Sequence, residues 1–226
     1  MSVANSRVLA VNLAHVIDLP PLRAAGVRAN KKPAKTGIDK RPVAQPVQVR
    51  RLGLDGDSIC DTVNHGGPDQ AVYAYASEDT EWWQEQLADE LDFRLQPGSL
   101  GENLTLRGVD VTNAVIGERW RVGRTILQVA VPRIPCSTFA AFWNVDRLPK
   151  RFIAAGRPGA YLRVLTEGAV GAGDEVRILE RPAHGLTLAE TLRALTGDRS
   201  LAPKLLTAPE LPESVHRSAR TWLGIS

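Results

Sequence analysis

Cysteine is nearly absent. The 226 residues hold two, Cys60 and Cys136, with no CxxC pair. That spacing excludes a disulfide framework and a structural zinc site, and it fits a reducing compartment. It also excludes an iron–sulfur cluster, and no GxGxxG motif opens a dinucleotide-binding helix. No apolar run reaches membrane-spanning length, so no membrane association is expected. The apolar opening Val8 to Leu19 is broken by Asn12, His15 and Asp18. It lacks a cationic lead and a small-residue cleavage site, and is not expected to be a signal peptide. Charge of one sign is scarce too. A net charge of +3 suits an anionic ligand but is too small to indicate nucleic-acid binding. A soluble cytoplasmic protein is expected.

What is present is enough apolar residue, 43%, to bury a genuine core. The patterning is mainly β with helices. Val8–Leu13 and Val47–Leu52 read as strands, the second with period-two alternation. Trp120–Val122 and Thr125–Val129 flank Gly123-Arg124 as a hairpin. Tyr161–Leu165 and Glu175–Leu179 enclose a turn containing Gly168, Gly171 and Gly173. Short strands at close spacing predict a barrel or folded sheet rather than a parallel α/β array.

Helices interrupt the strands. Ser77 reads as an N-cap before Glu78-Asp79-Thr80-Glu81, and Trp83, Leu87 and Leu91 then recur as a core-facing stripe. Pro149 suits the first turn of a helix over Lys150–Ala155, stopped by Gly156. Near Pro182 the composition shifts. Thr187 to Glu190 forms a capping box that opens a helix to Leu195, closed by Gly197. Ser200–Leu206 and Pro212–Leu223 read as two further helices. The reading is a main domain over residues 1–182 and a small three-helix domain over 186–226, which docks on the first because it is too small to stand alone. Asn30–Lys35, rich in Pro and Lys, reads as a mobile surface loop.

Four clusters carry candidate chemistry. Pro132-Arg133-Ile134-Pro135-Cys136-Ser137 follows a buried strand. Its two prolines stiffen the approach to Cys136, and the Arg133 guanidinium favours the ionised sulfur. Cys136 is thus either a positioned thiolate or a small buried hydrophobe. Thr36–Pro42 joins small residues to Lys40 and Arg41, either as a phosphate-binding turn or as a solvated basic loop. In Asn64-His65-Gly66-Gly67-Pro68-Asp69 a histidine precedes two glycines, where backbone approaches a ligand closely or simply turns. In Gly98–Thr105, Asn103 either bonds a heterocycle or caps a turn, and Glu102 orients backbone or contacts a ligand.

In chain order, TGIDKRPV, GLDGD, NHGGPDQAVYAY, GSLGENLT, IGERWRVG and PRIPC resemble the MOSC family, named for the C-terminal domain of molybdenum cofactor sulfurases. The resemblance runs from about Val8 to Leu179, with a motif-bearing core over about 36–180. The chain is especially similar to the bacterial YiiM-like branch, whose members carry a three-α C-terminal domain. Leu100 stands where many relatives have phenylalanine.

The resemblance implies a MOSC-type, β-barrel-like domain that binds molybdenum cofactor (molybdopterin). Cys136 would be the sulfur ligand of molybdenum, and Arg133 would offset charge around the cofactor. Ser137 would donate a hydrogen bond beside it, and Lys40 and Arg41 would take its phosphate. His65, Gly66, Gly67 and Asn103 would form the opposite wall. The activity implied is reduction of N-hydroxylated compounds such as hydroxylamines and hydroxylaminopurines, with His65 as proton donor. Electrons would come from a separate flavoprotein reductase. A carrier of the cofactor or of persulfide sulfur on Cys136, without turnover, is the alternative, and oligomeric state stays open.

Overall fold

The computed structural model describes residues 6–19 and 35–225. Its strands are β1 (Arg7–Ala14), β2 (Ile17–Asp18), β3 (Lys35–Thr36), β4 (Lys40–Val43), β5 (Val47–Arg50), β6 (Gly53–Leu54), β7 (Val72–Ala76), β8 (Leu104–Arg107), β9 (Arg119–Val122), β10 (Thr125–Pro132), β11 (Ala160–Thr166), β12 (Gly168–Val170) and β13 (Val176–Glu180). Its helices are α1 (Ser77–Gln86), α2 (Ser137–Trp143), α3 (Leu148–Ala155), α4 (Leu188–Thr196), α5 (Ala202–Leu205) and α6 (Glu213–Leu223).

Eight strands form one sheet in the order β13-β9-β10-β11-β7-β8-β1-β4. All pairs are antiparallel except β7 with β8. The fold is therefore β-rich with C-terminal helices, as expected. Full closure into a barrel is not seen, since no continuous ladder joins the outer strands. The sheet nevertheless curls back on itself. An isolated bridge pairs Arg7 with Glu175, and the amide of Val8 donates to the carbonyl of Asp174 at 2.9 Å.

β7 explains why the sheet can carry two cores. All five of its residues are buried. Side chains alternate across a strand, so Val72, Ala74 and Ala76 join the main core while Tyr73 and Tyr75 enter a second, aromatic one. That second core packs Trp83 of α1 against Phe152 of α3 with rings stacked 5.8 Å apart, and Phe139 and Trp143 of α2 complete it. Each such buried side chain stabilises the fold by roughly 1.5–3 kcal/mol.

The C-terminal helices share the main core through Leu188, Leu205 and Ala219. The capping box at the head of α4 is present: the Glu190 amide donates to Thr187 Oγ1 at 3.2 Å, and the Thr187 amide to Glu190 Oε2 at 3.0 Å. A backbone bond from Leu188 to the carbonyl of Ala114 then seats the helix on the sheet.

Three local expectations need correction. Ser77 is the first helical residue, with Ala76 in the capping position, because Ala76 still belongs to β7. The glycine-rich turn after β11 contains β12, a short strand paired with β5. Its Gly168 leaves no room for a side chain, since a Cβ would stand 2.6 Å from the Arg124 carbonyl oxygen. Finally, α2 was not expected, and it begins directly after Cys136. Of the Asn30–Lys35 loop, all but Lys35 lies outside the described residues. Among the described residues, no helix is long and apolar enough to cross a membrane.

Candidate functional site

The end of β10 delivers Arg133 and Cys136 to the seam between the two cores. Arg133 turns inward and is almost wholly buried. Its Nη1 donates to the Leu100 carbonyl, and its guanidinium lies over the rings of Tyr73 and Phe139, at 5.2 and 4.5 Å from their centroids. Burial works against the cation, but Tyr73, Tyr161 and Cys136 outweigh it and hold Arg133 protonated. Its charge acts on Cys136, and it cannot discharge near neutral pH.

Cys136 is half-buried and free. Burial alone would raise its thiol. A hydrogen bond with His65, the Arg133 charge and the Phe139 amide prevail, bringing it down to about 6. His65 is pushed up in turn, first by its hydrogen bond to Cys136; burial opposes this, and the charges of Cys136 and Asp61 support it. The pair therefore favours thiolate and imidazolium together. Of the two readings of Cys136 left open by the sequence, these neighbours favour a polarised sulfur over a buried hydrophobe.

Opposite lies a second charged cluster. Lys40 Nζ donates to both carboxylate oxygens of Asp57 at 2.6 Å, and both side chains are shielded from solvent. The Ala14 amide and Asn103 Nδ2 also donate to Asp57, each at 2.8 Å. Burial lowers the pKa of Lys40, and Asp57 restores part of the loss.

The turn leading into β8 explains how Asn103 is set. Its amide donates to the Tyr73 carbonyl at 2.7 Å, and its Oδ1 accepts from the Tyr73 amide at 3.1 Å. The side chain thus extends the parallel ladder by one step. Glu102 is fully buried and orients backbone: its carboxylate accepts from the amides of Gly98 and Leu100 and from Thr105 Oγ1. Burial raises its pKa, against the pull of those donors.

Apart from Glu102, which lies behind the wall, these groups face one cavity of about 530 Å³. Lys40, His65, Gly66 and Asn103 line it from the loops; Arg133, Cys136 and Ser137 line it from the β10–α2 junction. Two of the expected residues stand apart. Arg41 points to solvent and pairs with Asp39 at 2.7 Å, and Gly67 is exposed outside the lining. Arg41 follows Lys40 on β4, and successive side chains take opposite faces of a strand.

The sequence reading assigned no role to Asp57, Tyr73 or Tyr161, all of which line the cavity. For Asp57 a signal existed, since a motif acid that becomes buried needs a cation, and Lys40 is near in sequence. Tyr73 and Tyr161 are ladder partners whose rings lie 4.9 Å apart. Pairing across β7 and β11 cannot be read from either strand alone. Cys60 also lines the cavity and is exposed, rather than lying in a core or at a strand edge.

Comparison with known proteins agrees with this architecture. A profile of the MOSC domain matches residues 61–177. The uncharacterized protein YflK of Bacillus subtilis is 37% identical over 157 residues, which cover 70% of this chain and 69% of that protein. A protein of Gibberella moniliformis named "Reductase" is 33% identical over 178 residues, covering 78% of this chain but 31% of the fungal protein. The crystal structure of YiiM from Geobacillus stearothermophilus superposes with a TM-score of 0.74 at 27% identity, covering 96% of this chain and 99% of that one. With the matched region spanning the HGGPD turn, the GEN loop and the PRIPC segment, the chain belongs to the MOSC domain family.

Proposed function

We propose that the cavity around Cys136 holds molybdenum cofactor and that the protein reduces N-hydroxylated compounds. The observation that carries this reading is the polarised Cys136 thiol, with a pKa brought down to about 6, beside Arg133 at the wall of a cavity that both cations and acids line. Among the described residues, no group of three or more His, Cys, Asp and Glu could hold a bare metal ion. A metal seated here must bring most of its own ligands. A pterin dithiolene does so, leaving one position for a protein thiolate, and soft thiolate ligation suits such a centre.

The remaining fit is electrostatic and steric. Lys35 and Arg133 line the cavity and suit an anionic phosphate arm, whereas the charge of Lys40 is already met by Asp57. The volume falls within the range of about 300–1,000 Å³ typical of ligand sites. When bound, the cofactor would supply two-electron redox chemistry, converting an N-hydroxyl to the amine with loss of water. The chain's own part is to hold the thiolate, balance its charge through Arg133, and keep His65 protonated. An imidazolium within reach of the cavity can deliver one of the protons that such a reduction consumes.

Electrons would arrive from a separate protein of the flavoprotein reductase class, since the sequence carries no dinucleotide fingerprint or iron–sulfur cysteine set. Within this reading residues 186–226 form the helical domain appended to the MOSC domain of 1–182. The related protein named "Reductase" supports the activity class.

The test is elemental analysis for molybdenum on protein from a cofactor-producing host, followed by oxidation of a reduced dye on adding a hydroxylamine. Near-stoichiometric metal, lost in Cys136→Ser, together with substrate-dependent dye oxidation supports the proposal. Metal that is bound but released to an acceptor protein, with no dye oxidation, assigns the chain to cofactor delivery instead.

A further inference from the structure

Gln70 closes the 3-10 turn Pro68–Gln70 and lines the same cavity as Cys136. Its Oε1 is buried and has no hydrogen-bond partner among the described residues. An amide acceptor shut away from water without a donor costs about 1–3 kcal/mol. Natural folds rarely keep such a group unless something outside the chain pairs with it.

The turn is also held from behind. Arg163 of β11 donates through Nε to Asp69 Oδ1, beside Gln70. The same guanidinium donates through Nη1 to the Glu210 carbonyl at 2.7 Å and to Gln128 Oε1 at 3.3 Å. Asp69 is thereby fastened to β10 and to the loop between α5 and α6. This anchorage fixes the backbone turn from which the Gln70 side chain projects. An unpaired acceptor, fixed in place on a cavity wall, is how a site built to read a donor is recognised.

We propose that Gln70 reads an N–H group of the cavity's occupant, with Oε1 as acceptor and Arg163 as the positioning residue that fixes its turn. The assignment rests on the cavity being the binding site proposed above. Two occupants of that site carry suitable N–H donors. One is the pterin ring of the cofactor, and the other is a hydroxylamine whose nitrogen retains hydrogen. Ligands that present no N–H at that position must reach Oε1 through a differently placed donor, such as the hydroxyl, or leave it unpaired, and bind less well.

The experiment compares wild type with Gln70→Met, which keeps length and removes the acceptor, and with Gln70→Glu, which retains one. Molybdenum and pterin content are measured on each purified protein. Binding of N-phenylhydroxylamine and of N-methyl-N-phenylhydroxylamine is measured by equilibrium dialysis, without turnover. Circular dichroism and the thermal midpoint verify folding, and Gln70→Ala, which also removes the acceptor, takes the place of Gln70→Met where that variant does not fold.

A loss of cofactor content of fivefold or more in Gln70→Met, but not in Gln70→Glu, assigns the N–H to the pterin. Unchanged content, with a wild-type preference of fivefold or more for N-phenylhydroxylamine that vanishes in Gln70→Met, assigns it to the substrate. Content within twofold of wild type and no Gln70-dependent preference between the probes overturns the proposal. Absence of dye oxidation alongside either positive result would reject the reductase reading while leaving Gln70 in its role.

Discussion

His65 and Cys136 polarise each other across the cavity, coupling the HGGPD turn to the residue that precedes α2. Two motifs far apart in sequence thus share one ionisable pair. The thiol, brought down to about 6, is mostly thiolate at pH 7. Alkylation of Cys136 by iodoacetamide, measured in a Cys60→Ser background, is expected to rise with pH through a midpoint near that value. In His65→Ala the midpoint should move up toward an ordinary thiol, about 8.5. The sign for stability follows. A thiol depressed in the fold adds stability that is fully present above the unfolded pKa and is lost as pH falls through about 6. A midpoint that does not move in His65→Ala would show that Arg133 alone polarises the sulfur.

Cys136→Ser keeps the size of the side chain and removes the soft ligand. Cys136 is half-buried, so the fold should survive, with the thermal midpoint lowered by the stability that the thiolate adds near neutral pH, while molybdenum content and dye-coupled turnover are lost. Cys60 lines the same cavity but is exposed, and Cys60→Ser should keep most activity, with stability within about 0.5 kcal/mol of wild type. Equal loss of metal in both variants would remove the special standing of Cys136.

Arg163 joins three elements, so its loss should be felt in both stability and site function. Arg163→Met leaves the Glu210 carbonyl without its donor and releases Asp69. Asp69 is partly exposed, which limits the share of the ion pair itself. The expected cost is about 1–2 kcal/mol, or a fall of very roughly 2–8 °C in Tm for a chain of this size. KM for a hydroxylamine should rise more than kcat falls, because the cavity wall loosens while the thiolate stays in place. A variant with unchanged KM and a lowered Tm would reduce Arg163 to a purely structural fastener.

Much of the fold was legible because its signals are local. The capping box at Thr187 and Glu190, Gly156 and Gly224 closing α3 and α6, and the two-residue turn between β9 and β10 each depend on a few neighbouring residues. What escaped depends on distant partners. Ser137–Trp143 carries two β-branched or hydroxyl residues and three aromatics, poor helix formers in isolation. It is helical because Phe139 and Trp143 insert into the aromatic core beside Trp83 and Phe152. The site divides in the same way. Cys136, His65 and Asn103 stood out by motif, whereas the fourfold pairing of Asp57 and the inward turn of Arg133 onto Tyr73 exist only once β4, β7 and β10 have met.

Two glycines near the site separate backbone conformation from space. Gly67 has φ +82° and a Cβ there would meet nothing within 4 Å, whereas Gly98 has φ +92° and a Cβ would stand 2.1 Å from the Lys40 carbonyl oxygen. Both substitutions by alanine incur left-handed strain, about 1–2 kcal/mol. Gly98→Ala adds a collision with the backbone of β4, which carries Lys40 and so displaces the partner of Asp57. Its total cost should exceed about 3 kcal/mol, and its Tm should fall clearly further than that of Gly67→Ala. Cofactor content should drop in Gly98→Ala alone, since only that change moves the Lys40–Asp57 wall. Equal effects on Tm and cofactor in the two variants would mean that the close approach of the Gly98 loop to β4 does not shape the cavity.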